Sequence, residues 1–409
     1  MSRPRVVVLG LVARWPMAGM VWQALHYLLP LQRLGVDAWY VEDLGAPLYA
    51  PRQRTMITDP EPSARFLGNA LAQFGLGDRW ALRDPRDGSG FGLPADELED
   101  LLAGAHSIWN LCGAARIEER HQRGDSTLVY VQTDPLTEQI RAAEGDLDLR
   151  AQLERHPMRF TYGPGILDSE GRCPAGLAWT PTRPPVLTDL WATGPAREGA
   201  AWNTLGTWRN EGKDVVWQGK RLRWSKDAGF RALADVPRRA GVRAQMAVAP
   251  DRPEELGALR RGGWEIADPV EISADINEYR RFIQDSRGEI TPAKPIYVDT
   301  GSGWFSDRAV CYLAAGRPVL TPSTGEAGGL PFGEGLVALG SSDEAVAALR
   351  DINGDWDRHS RRATEIANTF FDGVTLVGEM LERIDFERAR KAAASPAVAQ
   401  SSVTWGGRT

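Results

Sequence analysis

Apolar residues in this chain fall into short unbroken runs, and stretches with helical spacing lie between them. Arg5–Val12 opens with such a run, which predicts a strand buried on both faces. A turn with Pro16 and Gly19 follows, and Val21, Leu25, Leu28, Leu29, Leu31 and Leu34 then mark one face of a helix over Met20–Leu34. Gly35 ends that helix, and Val36–Asp43 predicts a second strand. Strand, helix and strand in that order make a βαβ unit, which implies a parallel sheet with helices on its faces. Helices are predicted next at Pro62–Phe74 and Ala95–Leu102, with strands at His106–Leu111, Leu128–Gln132 and about Arg159–Tyr162.

Proline and small residues crowd the stretch from Pro181 to Pro195, which marks a linker into a second domain. A fresh series begins at Thr204, with a strand to Trp208 and a hairpin over Val215–Trp224 turning at Gly219. It continues with a helix from Lys226 capped by Ser225, a strand at Val242–Ala249 and a helix at Pro253–Arg261. A strand at Trp264–Ile266 and a helix at Ala274–Gln284 complete it before the most informative segment, PIYVDTGSGWFSDRAVCYLAAGRPVL, at Pro295–Leu320. That segment predicts a strand at Ile296–Val298, a glycine-rich turn, a helix capped by Ser306 and stopped by Gly316, and a further strand. A strand at Leu336–Leu339 and helices at Ser342–Ile352, Asp357–Phe371 and Thr375–Ala393 follow. The expected architecture is α/β, with two Rossmann-like doubly wound domains at 1–185 and 186–372 facing a central cleft, a last helix over 373–395 and a disordered tail at 396–409.

With 409 residues, 43% of them hydrophobic and 25% charged, the chain has the size and balance of a two-domain globular protein. Its net charge of −6 argues against a general nucleic-acid binder. The three cysteines, Cys112, Cys173 and Cys311, are scattered, and the five histidines form no metal-binding pair. No apolar stretch reaches membrane-spanning length and the basic start runs straight into a strand, so a cytoplasmic enzyme is expected. The first turn, Gly10-Leu11-Val12-Ala13-Arg14-Trp15-Pro16, lacks the GxGxxG spacing of dinucleotide-binding folds, and neither GxxxxGK[ST] nor GxSxG occurs.

The candidate chemistry lies in the second half. Gly301, Ser302, Gly303, Trp304, Ser306, Asp307 and Arg308 combine a flexible backbone, hydroxyls and a helix start, a combination that binds anions, phosphate above all. Ser225 and Lys226 would add a second helix start and a cation. Together they would neutralise a diphosphate leaving group as its charge develops. In the first half, Asp134 closes a buried strand and is the candidate base for an acceptor hydroxyl, while Arg14, Gly19 and Glu42 are candidates for touching that acceptor.

These residues carry a resemblance. SGWFSDRAVCYLAAGRPVL, with Gly325 and Leu330–Leu336 after it, resembles the donor-binding region of glycosyltransferases of the two-domain GT-B fold, more closely bacterial members of poorly defined substrate. Trp224–Lys226, Ser286–Glu289, Val131–Pro135, Gly19–Gln23 and Tyr40–Asp43 are similar to the same group. The resemblance implies a UDP- or TDP-type nucleotide sugar in the second domain and a small-molecule or glycan acceptor, as in natural-product pathways, in the first. It also implies no cofactor or metal, and a last helix crossing back to the first domain. Two departures stand out. Gly303 and Cys311 occupy the positions of the paired glutamates of retaining members, and no histidine precedes His26 where inverting members place a base. The stereochemical outcome stays open, and a nucleotide-sugar epimerase or a catalytically silent nucleotide- or sugar-binding partner protein are the alternatives.

Overall fold

The computed structural model describes residues 3–394 except 46, 85–87, 168–173 and 175. Cys173 and the tail 396–409 therefore lie outside the described residues. The first half forms an eight-stranded sheet. Its strands are β1 Arg5–Leu9, β2 Asp37–Asp43, β3 Trp80–Arg83, β4 Gly90–Gly92, β5 Ser107–Leu111, β6 Thr127–Gln132, β7 Met158–Thr161 and β8 Thr180–Pro181. They run in the order β8-β7-β6-β5-β1-β2-β3-β4, all parallel except β4. Val6 and Val8 pack into one apolar core and Val7 and Leu9 into another, so the all-apolar VVVL run is covered on both faces, as its pattern requires.

The second half forms a six-stranded, fully parallel sheet. Its strands are β9 Trp202–Leu205, β10 Ala244–Ala247, β11 Trp264–Ala267, β12 Gly288–Ile290, β13 Val319–Thr321 and β14 Leu336–Ala338, ordered β11-β10-β9-β12-β13-β14. In each sheet the winding reverses beside the first strand, at β1 and at β9. The carboxyl ends flanking such a reversal are where open α/β sheets hold ligands.

Seven helices frame the cleft and its back: α1 Ala18–Arg33, α2 Asp227–Ala232, α3 Ile276–Gln284, α4 Pro295–Thr300, α5 Asp307–Ala314, α6 Trp356–Phe370 and α7 Gly373–Ala394. The α4 helix corrects an expectation, since Ile296-Tyr297-Val298 is helical and not a strand. Pro295 sits at the first helical position, where its missing N–H costs nothing, and Gly301 ends the turn at φ 63°. The strand entering this crossover is β12, Gly-Glu-Ile, whose buried charge disguised it as loop in the sequence. A short helix at Pro269–Ser273 was also hidden, and α3 starts at Ile276 because the Asp275 carboxylate accepts from the N–H groups of Asn277 and Glu278.

The chain crosses between the halves twice, and the crossings lie side by side. Val186 N–H donates to Phe371 O and Gly373 N–H donates to Val186 O, both at 2.8 Å. Beyond that point α7 lies on the first sheet's side, burying Val377, Met380 and Ile384 in the core that contains α1. Arg388 of α7 donates to the backbone oxygens of His106 and Asp125.

Candidate active site

Between the carboxyl ends of the two sheets lies a cavity of about 420 Å³, lined from both sides. The loop after β9, Gly206-Thr207, forms part of its floor on the second side. A Cβ on Gly206 would touch Arg308 Nη1 and Phe230 Cζ, each at 3.7 Å, so the loop passes close beside that guanidinium.

Of the residues singled out from the sequence, the structure brings Gly19, Asp134, Ser225, Lys226, Trp304, Ser306, Asp307 and Arg308 to this cavity. The Ser306 hydroxyl caps α5 by accepting from Ala309 N–H, as expected. Arg308 Nε donates to Glu289 Oε1 at 2.7 Å and its Nη2 to Thr291 Oγ1 at 2.9 Å. The fully buried Glu289 on β12 thus fixes the arginine against the sheet and leaves Nη1 toward the cavity. Lys226 has no ion-pair or hydrogen-bond partner among the described residues. Burial, followed by the nearby charges of Arg308 and Lys294, pushes its ammonium down to about 7. An unpaired cation held beside a second cation in a cleft is a site prepared for an anion.

Four expectations fail in detail. Ser225 does not cap α2: its hydroxyl accepts from Asn210 N–H at 2.8 Å, and Lys226 is the residue before the helix. Gly301, Ser302 and Gly303 do not line this cavity, because their N–H groups are already used. Gly301 donates to Val298 O, Ser302 to Tyr297 O and Gly303 to Thr324 O, while Ser302 O accepts from Gly165 N–H of the first half. Glu42 is buried and accepts from Ala13 N–H, Arg14 N–H and Tyr40 Oη, all at 2.7 Å. Burial raises its carboxyl to about 7, with those hydrogen bonds acting against the shift, and its task is to hold the loop after β1. Arg14, in the same loop, does not reach the cavity either.

Asp134 does reach it, but as half of a contact across the cleft. Its Oδ1 accepts from Lys294 Nζ at 2.6 Å and from Tyr297 Oη at 2.5 Å. Burial alone would raise this carboxyl, yet Lys294 and Tyr297 hold it below its usual value. Around the pair Lys294 Nζ lies 3.6 Å from the Trp224 ring centre, and Trp304 stacks on Tyr297 at 4.4 Å while donating from Nε1 to Thr133 O. Trp304 is a wedge between the halves.

Asp307 behaves differently. Its Oδ2 accepts from Gln23 Nε2 of α1 at 3.0 Å, and its Oδ1 from Arg308 N–H. Burial first and the charge of Asp134 second raise its carboxyl, against the opposing pull of Arg308. The cavity therefore holds one carboxylate pushed down and one pushed up. Lys294, Tyr297, Glu289 and Gln23 carry this arrangement and were missed from sequence. Gln23 and Glu289 fall within segments that carry the resemblance, Lys294 stands between Pro292 and Pro295, and Tyr297 offered no signal.

No family model matches the sequence, and no curated protein does. Solved structures do. Alpha-glucosyltransferase in complex with UDP is similar over 93% of this chain and 99% of its own, with TM-score 0.61 and 11% identity. Anabaena HepE in complex with UDP and glucose matches over 94% of this chain and all of its own, with TM-score 0.58 and 14% identity. AviGT4, a glycosyltransferase involved in avilamycin A biosynthesis, matches over 94% and 98%, with TM-score 0.53 and 13% identity. The chain has the GT-B fold. The cavity is thus the interdomain cleft of a GT-B architecture. Among the described residues no group of three or more His, Cys, Asp and Glu side chains is placed to hold a metal ion, and no helix is long and apolar enough to cross a membrane.

Proposed function

We propose that this chain is a glycosyltransferase that moves a sugar from a nucleoside diphosphate donor to a hydroxyl-bearing acceptor. The observation that carries the reading is the unpaired Lys226 ammonium beside Arg308 and the start of α5, at the carboxyl edge of a GT-B second sheet. A diphosphate placed there gains two cations, and both contacts strengthen as charge develops on the leaving group. The solved structures with UDP bound support the same donor class.

In the reaction a lone pair of the acceptor oxygen forms the bond to the anomeric carbon. The bond from that carbon to the diphosphate oxygen breaks, and its electron pair leaves with the nucleoside diphosphate. The acceptor's proton goes to Asp307, whose raised carboxyl sits nearer to neutrality than that of Asp134. Asp134 positions the two halves through Lys294 and Tyr297. The cations make a metal unnecessary in this scheme, and activity unchanged by a chelator is its corollary.

Calorimetric titration with UDP, TDP and GDP tests the donor site, and UDP release from UDP-glucose in the presence of an acceptor tests transfer. Binding and acceptor-dependent release are expected. Absence of binding by UDP, TDP and GDP alike overturns the proposal, and release that never depends on acceptor reduces the chain to a binding or hydrolysing protein.

A further inference from the structure

The first-sheet side of the cleft differs chemically from the second. Trp15 is 39% exposed and leans on Tyr49, with ring centres 5.4 Å apart and planes at 41°. Met17 and Met20 line the wall beside it, and Gly19 between them opens the floor: a Cβ there would meet nothing nearer than Tyr279 Oη, at 3.9 Å. This wall is apolar and polarizable.

Most polar atoms on the same side are already committed, Asp134 through Oδ1 alone. His26 Nε2 accepts from Trp191 Nε1 at 2.9 Å, and burial drives its ring down to about 3, so it is neutral. Gln23 donates to Asp307 and accepts from Cys112, whose sulfur also meets Thr133 Oγ1 at 2.9 Å. Tyr162 Oη is bonded to Tyr27 Oη, and Asp134 is paired with Lys294. A pyranose would bring a hydroxyl on nearly every ring carbon to a wall with few free partners, and each unpaired one costs about 1–3 kcal/mol. An aromatic ring asks for none.

We propose that the acceptor is a neutral aromatic hydroxyl compound whose ring lies against Trp15 and the Met17–Met20 wall, with its hydroxyl directed to Asp307. The proposal rests on the glycosyl-transfer reading for its chemistry: the phenolic oxygen attacks, its proton goes to Asp307 and the diphosphate departs with the bonding pair. The ring site itself stands on the wall alone.

Saturation-transfer NMR on the full chain, with UDP present and naphthol or methyl glucoside as probe, tests it. Naphthol is expected to take up saturation and methyl glucoside not to. Trp15→Ala, at an exposed position that leaves the core intact, weakens naphthol by about tenfold while UDP affinity stays within about twofold. Preference for methyl glucoside, binding of neither probe, or naphthol affinity unchanged in Trp15→Ala overturns the proposal. Naphthol binding as expected without any UDP binding supports the ring site and rejects the donor reading instead.

Discussion

Two stretches of one short segment, Gly301–Gly303 and Ser306–Arg308, look alike as phosphate cradles in sequence but do different work in the fold. The first is rich in glycine, yet its N–H groups are consumed by Val298, Tyr297 and Thr324 oxygens, and its own carbonyl at Ser302 is used by Gly165. It joins the two halves. The second has no glycine, but it places a helix start, a carboxylate and a guanidinium at the cavity. The difference teaches that glycine reports where backbone must bend or approach closely, while an anion site needs donors left over after the fold has taken its share.

Four experiments can break or sharpen that comparison. Asp307→Asn keeps the size of the side chain and removes the proton acceptor. Turnover should fall by about 10²–10⁴-fold with UDP affinity retained, and near-normal turnover would take the base role away from it. Lys226→Ala should weaken UDP by roughly 10–100-fold, the loss of one charged hydrogen-bonding partner. The same lysine gives affinity a pH dependence. A bound diphosphate raises the ammonium above its free value of about 7, so its contribution is complete below that pH and declines as pH rises toward the bound value. Titrations at rising pH should show wild-type affinity falling by about tenfold over roughly two pH units, and Lys226→Ala should flatten the curve.

The smallest effect on the site, and the sharpest contrast, is expected of Gly303→Ala. Gly303 has φ 71°, and a Cβ there would lie 2.7 Å from Gly328 N and 2.9 Å from Pro164 Cγ. Destabilisation of about 1–3 kcal/mol should appear as a melting temperature lower by several degrees, with the UDP affinity of the folded protein within about twofold. Weakened UDP with unchanged melting would return the glycine turn to the binding site.

Much of the fold was written in periodicity. The VVVL run, the α1 stripe and the Ser306 cap each declared their element, because local pattern and tertiary setting agree there. Legibility failed where burial overrode pattern. Glu289 is a fully buried charge in a three-residue strand, and only Arg308, nineteen positions away, explains it. Glu42 read as a cleft residue because it ends a strand, whereas two of its three hydrogen-bond donors come from the loop it supports and the third, Tyr40 Oη, from its own strand. The pairing of Asp134 with Lys294 and Tyr297 joins residues 160 and 163 positions apart, and no spacing rule reaches across two domains.

The placement of α7 has a bearing on how the protein is made. Val377, Met380 and Ile384 fill the same core as α1, yet they leave the ribosome after the whole second sheet. At about 5–20 residues per second, the nascent first sheet must wait on the order of ten seconds or more with part of its apolar surface uncovered. Its final packing is then set by a segment synthesised after the second sheet, which makes the opening half of the chain the dependent partner in folding.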